Sequence, residues 1–135
     1  MGVQEFDFTS GKVLDPKRKQ AILAVANDDD VSVVKEVLRQ MSYKDLGRET
    51  EPRAVLEAVR KHKVGALLLD ADLPGINVKE LLPSIKKAFS DINVVVMSRT
   101  VTKETLSETL RLGAIGFLVK PLQEDALKKV IVKLK

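Results

Sequence analysis

The chain has 135 residues, of which 44% are hydrophobic, and a formal net charge of +4. This length suits one domain with an ordinary hydrophobic core. The absence of cysteine excludes disulfides and thiolate metal sites. No apolar run reaches the roughly 20 residues that a membrane helix needs. The 23 basic and 19 acidic residues are interleaved and aromatic residues are few, which predicts a solvated surface and disfavours a nucleic-acid partner. The absence of cysteine and of a secretory signal pattern predicts a cytoplasmic location with no membrane partner.

Residues 1–18 differ in pattern from the rest of the chain and are predicted to form an N-terminal extension. Phe6 and Phe8 alternate with polar residues, and a basic cluster follows at 17–19. Because chain termini often contribute little chemistry, we expect a partly ordered tail, with an added strand or a docking segment as alternatives. Residues 19–135 are predicted to form the single domain.

Short, almost continuous apolar runs are predicted to be parallel strands that are buried on both faces. They lie at residues 21–26, 64–69, 92–97 and 115–119. A fifth strand is expected at 43–47 on topological grounds alone, because that segment is weakly patterned.

Amphipathic helices are predicted between and after these strands, because apolar residues recur there at helical spacing. The apolar stripes lie at residues 31–41, 55–59, 78–89, 106–110 and 127–134. The alternation of strands and helices, with right-handed crossovers, predicts an α/β fold with a doubly wound five-stranded parallel sheet in the flavodoxin-like order 2-1-3-4-5.

Three polar residues each follow one of the apolar runs directly: Asp70, Ser98 and Lys120. The carboxyl ends of parallel strands meet at one edge of the sheet, where open α/β folds place their ligands. A carboxylate can act as a nucleophile, and a hydroxyl and an ammonium can hold the oxygens of a phosphoryl group. The set therefore indicates phosphoaspartate chemistry.

Several short motifs accompany these residues in a fixed order. They are LLLD at 67–70, LPG at 73–75, VVVMS at 94–98, GA at 113–114 and FLVKP at 117–121. Together they make residues 19–135 similar to the receiver domain of bacterial two-component response regulators. The resemblance implies that Asp70 is the phosphoacceptor for a sensor histidine kinase or phosphotransfer protein. It also implies that Ser98 and Lys120 hold the phosphoryl oxygens.

The same resemblance implies a conformational switch and a contact surface for a downstream protein. Ser98 and Phe117 occupy the switch positions, and the bond between Lys120 and Pro121 is expected to be cis. The partner surface would lie at about residues 102–135. No enzyme activity is expected beyond self-phosphorylation and self-dephosphorylation at the acceptor.

A Mg²⁺ ion is also implied, held by the Asp70 carboxylate and the backbone carbonyl of Asp72. Where the family has two adjacent acids after the first strand, this chain has Ala26 and Asn27. Asp28 follows directly and is the candidate replacement ligand. In the alternative interpretation the acids at 28–30 only cap the first helix, with Asp30 as the predicted N-cap.

These departures leave open a degenerate pseudo-receiver that binds a partner without phosphorylation. The segment LDAD at 69–72 also fits the opening motif of a haloacid-dehalogenase-like phosphatase. That family needs further acids after the lysine strand, where only Glu124 and Asp125 remain, and the helix dipole explains those two acids. A stand-alone messenger and a receiver excised from a longer protein are both compatible with the sequence.

Overall fold

Two short strands precede the main sheet in this computed structural model, which describes residues 5–7 and 12–135 and side chains from residue 15 onward. Strands β1 (Glu5–Asp7) and β2 (Lys12–Leu14) pair in antiparallel fashion and form a two-stranded sheet of their own. Phe8, part of the alternation noted in the sequence, lies outside the described residues. The division into an extension and a domain at residue 18 stays a prediction.

The main sheet contains five parallel strands. These are β3 (Gln20–Ala24), β4 (Lys44–Arg48), β5 (Ala66–Asp70), β6 (Asn93–Ser98) and β7 (Gly116–Val119). Their spatial order is β4-β3-β5-β6-β7, which confirms the predicted order and the weakly patterned strand near residue 45. Strand β5 lies at the centre of the sheet, between β3 and β6.

Five α-helices cover the two faces of this sheet. They are α1 (Asp28–Gln40), α2 (Pro52–His62), α3 (Val78–Ala88), α4 (Lys103–Arg111) and α5 (Glu124–Ile131). In the part of the chain that the structure describes, no helix is both long and apolar enough to cross a membrane.

The apolar strands are buried on both faces because successive side chains point to opposite sides of the sheet. In β5, Leu68 packs with α1 and α5 on one face, whereas Leu67 and Leu69 pack with α2 and α3 on the other. Every residue of β5 is buried. Near-continuous apolar sequence is therefore what this central strand requires.

Helix α4 is less buried than its sequence pattern predicts. Leu106 and Leu110, which define its apolar stripe, are 36% and 43% exposed. Thr109 is the buried residue of this helix, and the neighbouring Leu112 contributes to the core on that face. The stripe of α4 therefore faces partly outward.

A 3-10 helix at Pro16–Lys19 lies against the amino edge of the sheet. The Arg18 guanidinium donates hydrogen bonds to the carbonyl oxygens of Asp91 at 2.8 Å and Lys135 at 2.6 Å. The backbone N–H of Gly65 donates to the Lys17 carbonyl at 2.7 Å. These bonds fix the start of the sheet region at the edge opposite Asp70.

Candidate functional site

Asp70 is the last residue of the central strand, and it is 3% exposed. Its Oδ1 accepts a hydrogen bond from the backbone N–H of Asp72 at 2.8 Å. Its Oδ2 accepts one from the ammonium of Lys120 at 2.5 Å. The carboxylate is thus held in one orientation by a bond on each oxygen.

Lys120 reaches Asp70 from the end of β7, and the Lys120–Pro121 bond is cis, as predicted. Its side chain is only 7% exposed, and its Nζ also lies 3.2 Å from Asp30 Oδ2 and 3.7 Å from Asp72 Oδ2. Burial alone would lower the pKa of Lys120, but the hydrogen bonds and charges of Asp70 and Asp30 outweigh it and raise the pKa above its usual value. The ammonium is therefore the shared cation of three carboxylates.

The loop after β3 differs from the sequence prediction. The N-cap of α1 is Asn27, whose Oδ1 accepts hydrogen bonds from the backbone N–H groups of Asp29 at 2.9 Å and Asp30 at 3.1 Å. The prediction of Asp30 as the N-cap was wrong, because the helix begins at Asp28 and the amide oxygen of Asn27 already bonds the free N–H groups of the first turn.

The acid of this loop that lies at the site is Asp30, not Asp28. Asp28 is 87% exposed and pairs with Arg48 at 2.9 Å, whereas the Asp30 side chain is 16% exposed beside Lys120. Asp30 precedes the buried Val34 by four residues, so both lie on the inward face of the helix. That spacing is a sequence signal that could have identified Asp30.

Ser98 ends β6 beside Asp70, and its hydroxyl is already engaged. Its Oγ donates to Asp72 Oδ1 at 2.9 Å and accepts from the backbone N–H of Thr100 at 3.2 Å. Asp72 Oδ2 accepts from the backbone N–H of Arg99 at 2.8 Å. Partial burial opposes the charge of Asp72, but the bonds from Arg99 and Ser98 and the charge of Lys120 together lower the pKa of its carboxyl. For a receiver site the sequence predicts a role only for the backbone carbonyl of this residue, not for its side chain.

Phe117 lies on β7 opposite Val96 of β6 and is half-buried. Together with Ser98 it lines a cavity of about 360 Å³ between the sheet and helices α3 and α4, which also includes Thr105 and Leu112. The two predicted switch residues therefore share one cavity.

The donor set fits a hard divalent cation in its chemistry. Asp30 and Asp70 supply carboxylate oxygens, which Mg²⁺ prefers. Among the described residues no three His, Cys, Asp or Glu side chains are arranged to hold a metal by themselves. Mg²⁺ usually retains several water ligands, so a site with two protein carboxylates is compatible with this ion.

The comparison with known families agrees with this geometry. Residues 22–132 match the family described as the response regulator receiver domain. The chain belongs to this family. Phosphorylation on aspartate is typical of receiver domains, which are signalling modules that typically bind Mg²⁺ at the phosphorylation site and interact with histidine kinases and effectors. The phosphatase alternative gains no support from these findings.

Individual relatives share this receiver domain as part of longer chains. Transcriptional regulatory protein CitT of Bacillus subtilis is 26% identical over 116 residues, covering 84% of this chain and 51% of CitT. Two-component response regulator-like PRR73 of Oryza sativa is 32% identical over 120 residues, covering 85% of this chain and 16% of PRR73. The receiver domain thus spans about half the length of CitT and less of PRR73.

The fold is also similar to that of solved response regulators. One is a response regulator protein from Burkholderia pseudomallei whose structure contains a phosphorylated aspartic acid, a calcium ion and citrate. It is 16% identical with a TM-score of 0.71, and the match covers 87% of this chain and 66% of that one. At this identity the likeness concerns the fold.

Proposed function

We propose that this receiver domain accepts a phosphoryl group on Asp70 and transmits the signal by protein contact. The observation that supports this most directly is the pairing of the Asp70 carboxylate, at the mouth of the central strand, with the Lys120 ammonium at 2.5 Å. A buried carboxylate with an adjacent cation suits the transfer of an anionic group, because the cation offsets the charge that accumulates. The donor would be a phosphohistidine of a sensor kinase or phosphotransfer protein.

In the proposed transfer, an oxygen of Asp70 attacks the phosphorus of the donor. An O–P bond forms while the P–N bond to the donor imidazole breaks, and the electron pair stays on that nitrogen, which takes a proton from solvent. Hydrolysis by water later returns the carboxylate and inorganic phosphate. The Lys120 ammonium already donates to Asp70 Oδ2, so it can also bind the oxygens of a phosphoryl group attached to that carboxylate.

Ser98 and Phe117 would convert this chemistry into a change of shape. The Ser98 hydroxyl would donate to a phosphoryl oxygen, and the cavity that it shares with Phe117 gives the ring room to move. This assignment follows the switch positions of the family and the common cavity.

For the metal, the geometry favours Asp30, the Asp70 carboxylate and the backbone carbonyl of Asp72 as the ligands. When bound, Mg²⁺ would neutralise the phosphoryl oxygens during transfer. Asp28 was the ligand predicted from the sequence, but its pairing with Arg48 on the exposed side of α1 makes it the weaker candidate.

The partner surface is proposed at residues 102–135. Four large apolar side chains in this range are exposed: Leu106, Leu110, Val119 and Val132. They belong to α4, to β7 and to the residue that directly follows α5, and exposed apolar side chains of this size can be buried by a protein partner. This supports an output by protein contact.

The decisive experiment is the intact mass after incubation with acetyl phosphate and Mg²⁺. We expect one phosphoryl adduct, released by alkali, in the wild type and in the matched acid-removal control Asp29→Asn, and none in Asp70→Asn. An adduct that persists in Asp70→Asn would exclude Asp70 as the acceptor. If the wild type acquires no adduct from either acetyl phosphate or a phosphorylated kinase domain, the phosphorylation-independent pseudo-receiver replaces this proposal.

A further inference from the structure

The Asp72 side chain binds two hydrogen-bond donors at the end of the neighbouring strand. Its Oδ1 accepts a hydrogen bond from the hydroxyl of Ser98 at 2.9 Å, and its Oδ2 accepts one from the backbone N–H of Arg99 at 2.8 Å. The Lys120 ammonium is 3.7 Å from the same Oδ2. A carboxylate is an anion with acceptor oxygens only, as a phosphoryl group is, so the two have the same hydrogen-bonding requirements.

The hydroxyl of Ser98 cannot satisfy both anions. A serine hydroxyl has a single O–H to donate, and here that proton goes to Asp72. The lone pairs of Ser98 Oγ cannot bind a phosphoryl oxygen, because that oxygen is itself an acceptor and requires a hydrogen-bond donor. For Ser98 to bind a phosphoryl group on Asp70, its bond to Asp72 must first break.

We propose that the Asp72 carboxylate is an internal competitor, which occupies the Ser98 hydroxyl and the Arg99 N–H until a phosphoryl group on Asp70 displaces it. This rests on the proposed phosphorylation of Asp70 and adds a regulatory residue to that site. The side chain of Asp72 is a positioning group, since it acts by holding Ser98 and Arg99; the backbone carbonyl proposed as a metal ligand is retained in every Asp72 variant. Its removal makes phosphorylation easier.

Charge repulsion and competition for donors are separable effects of the same side chain. Asp72→Asn removes the charge but keeps an oxygen that can accept from Ser98, whereas Asp72→Ala removes both. If repulsion alone mattered, the two variants would behave alike. If Asp72 acts by holding the donors of Ser98 and Arg99, Asp72→Ala should raise the rate of phosphorylation more than Asp72→Asn does. Asp29→Ala is the matched control, because it removes an exposed acid of the nearby α1 turn that makes no side-chain bond among the described residues.

The test measures the initial rate of phosphorylation by acetyl phosphate with Mg²⁺, by intact mass. We expect Asp72→Ala to raise the rate about tenfold, which corresponds to about 1.4 kcal/mol. Asp72→Asn should give a smaller increase, and Asp29→Ala should remain within about twofold of the wild type. In a Ser98→Ala background the effect of Asp72→Ala should shrink by at least about threefold, since coupled residues are not additive.

Each outcome decides between the claims. Equal rates in the wild type and Asp72→Ala, or the same gain with and without Ser98, overturn the competitor role while leaving phosphorylation of Asp70 intact. An adduct that forms only in the Asp72 variants supports the role strongly. The absence of an adduct in every variant overturns the proposed phosphorylation and the competitor role with it. The urea midpoint of each variant is measured as well, and a midpoint like that of the wild type excludes unfolding as the cause of a changed phosphorylation rate.

Discussion

Replacement of Lys120 by methionine should destabilise the unphosphorylated domain, because three neighbouring carboxylates lose the cation that they share. The ammonium lies within 4 Å of Asp30, Asp70 and Asp72, and in the described part of the chain none of the three forms another ion pair. The local charge is −2 with the lysine present and −3 without it. Methionine keeps most of the length and apolar volume of the lysine stem, so the variant removes mainly the charge.

The expected loss of stability is about 3 kcal/mol, the lower end of what removal of one partner from a buried ion pair produces. We choose the lower end because Asp72 is 31% exposed and keeps its bonds from Ser98 and Arg99. For a domain of this size, such a loss lowers the Tm by roughly 10 °C.

Urea denaturation followed by circular dichroism at pH 7 tests this reasoning. The pKa of Lys120 is raised above its usual value, so its ammonium is charged at pH 7 and the full loss in Lys120→Met should be seen there. Asp70→Asn should be as stable as the wild type or more so, and in that background Lys120→Met should be less destabilising. A wild-type midpoint for Lys120→Met at pH 7, or an equal loss in the wild-type and Asp70→Asn backgrounds, would refute the electrostatic account.

Three further predictions concern the metal, acid sensitivity and the amino edge of the sheet. In calorimetric titrations, Asp30→Ala should weaken Mg²⁺ binding by about tenfold or more, and Asp28→Ala should leave it nearly unchanged. The pKa of Asp72 is lowered in the folded state, so its stabilising contribution is present above the unfolded pKa of about 3.9 and is lost as the pH falls through the folded pKa. Below about pH 4, the urea midpoint of Asp72→Asn should therefore depend less on pH than that of the wild type. Gly65→Ala should lower the free energy of unfolding, measured by urea denaturation, by about 2 kcal/mol or more, since its Cβ would lie 2.2 Å from the Arg18 carbonyl oxygen. An unchanged free energy of unfolding would contradict that contact.

The strand order and the convergence of Asp70, Ser98 and Lys120 could be predicted from sequence. Apolar runs buried on both faces identify parallel strands, and in a parallel sheet all carboxyl ends lie at one edge. Residues that directly follow such runs therefore lie along the same edge of the sheet, and the long side chain of Lys120 can reach Asp70 across β6. The strand β4 needed the topology as well, because its five residues are not fully buried and carry little apolar pattern.

The positions of Asp30 and Asp72 could not be predicted with the same certainty, because both depend on loop geometry. A difference of a few residues in the start of α1 changes which acid faces Lys120, and local capping preferences allow either Asn27 or Asp30 at the N-cap. The side chain of Asp72 turns toward Ser98 because of the tight turn after β5, where its own N–H bonds Asp70. The spacing of Asp30 and Val34 places both on the inward face of α1 only once the start of the helix is known, and the turn that directs Asp72 leaves no periodic pattern in the sequence.

Under the proposed function, the contacts of the resting site would link phosphorylation to the structure of the loops. One ammonium serves Asp30, Asp70 and Asp72, and one hydroxyl serves Asp72. If a phosphoryl group on Asp70 recruits Lys120 and Ser98, the carboxylates of Asp30 and Asp72 lose their partners at the same moment. Buried or partly buried carboxylates without partners are unfavourable, so the loops that carry them must rearrange or bind a cation. Phosphorylation would thereby reach both loops through shared donors, without direct contact to either backbone.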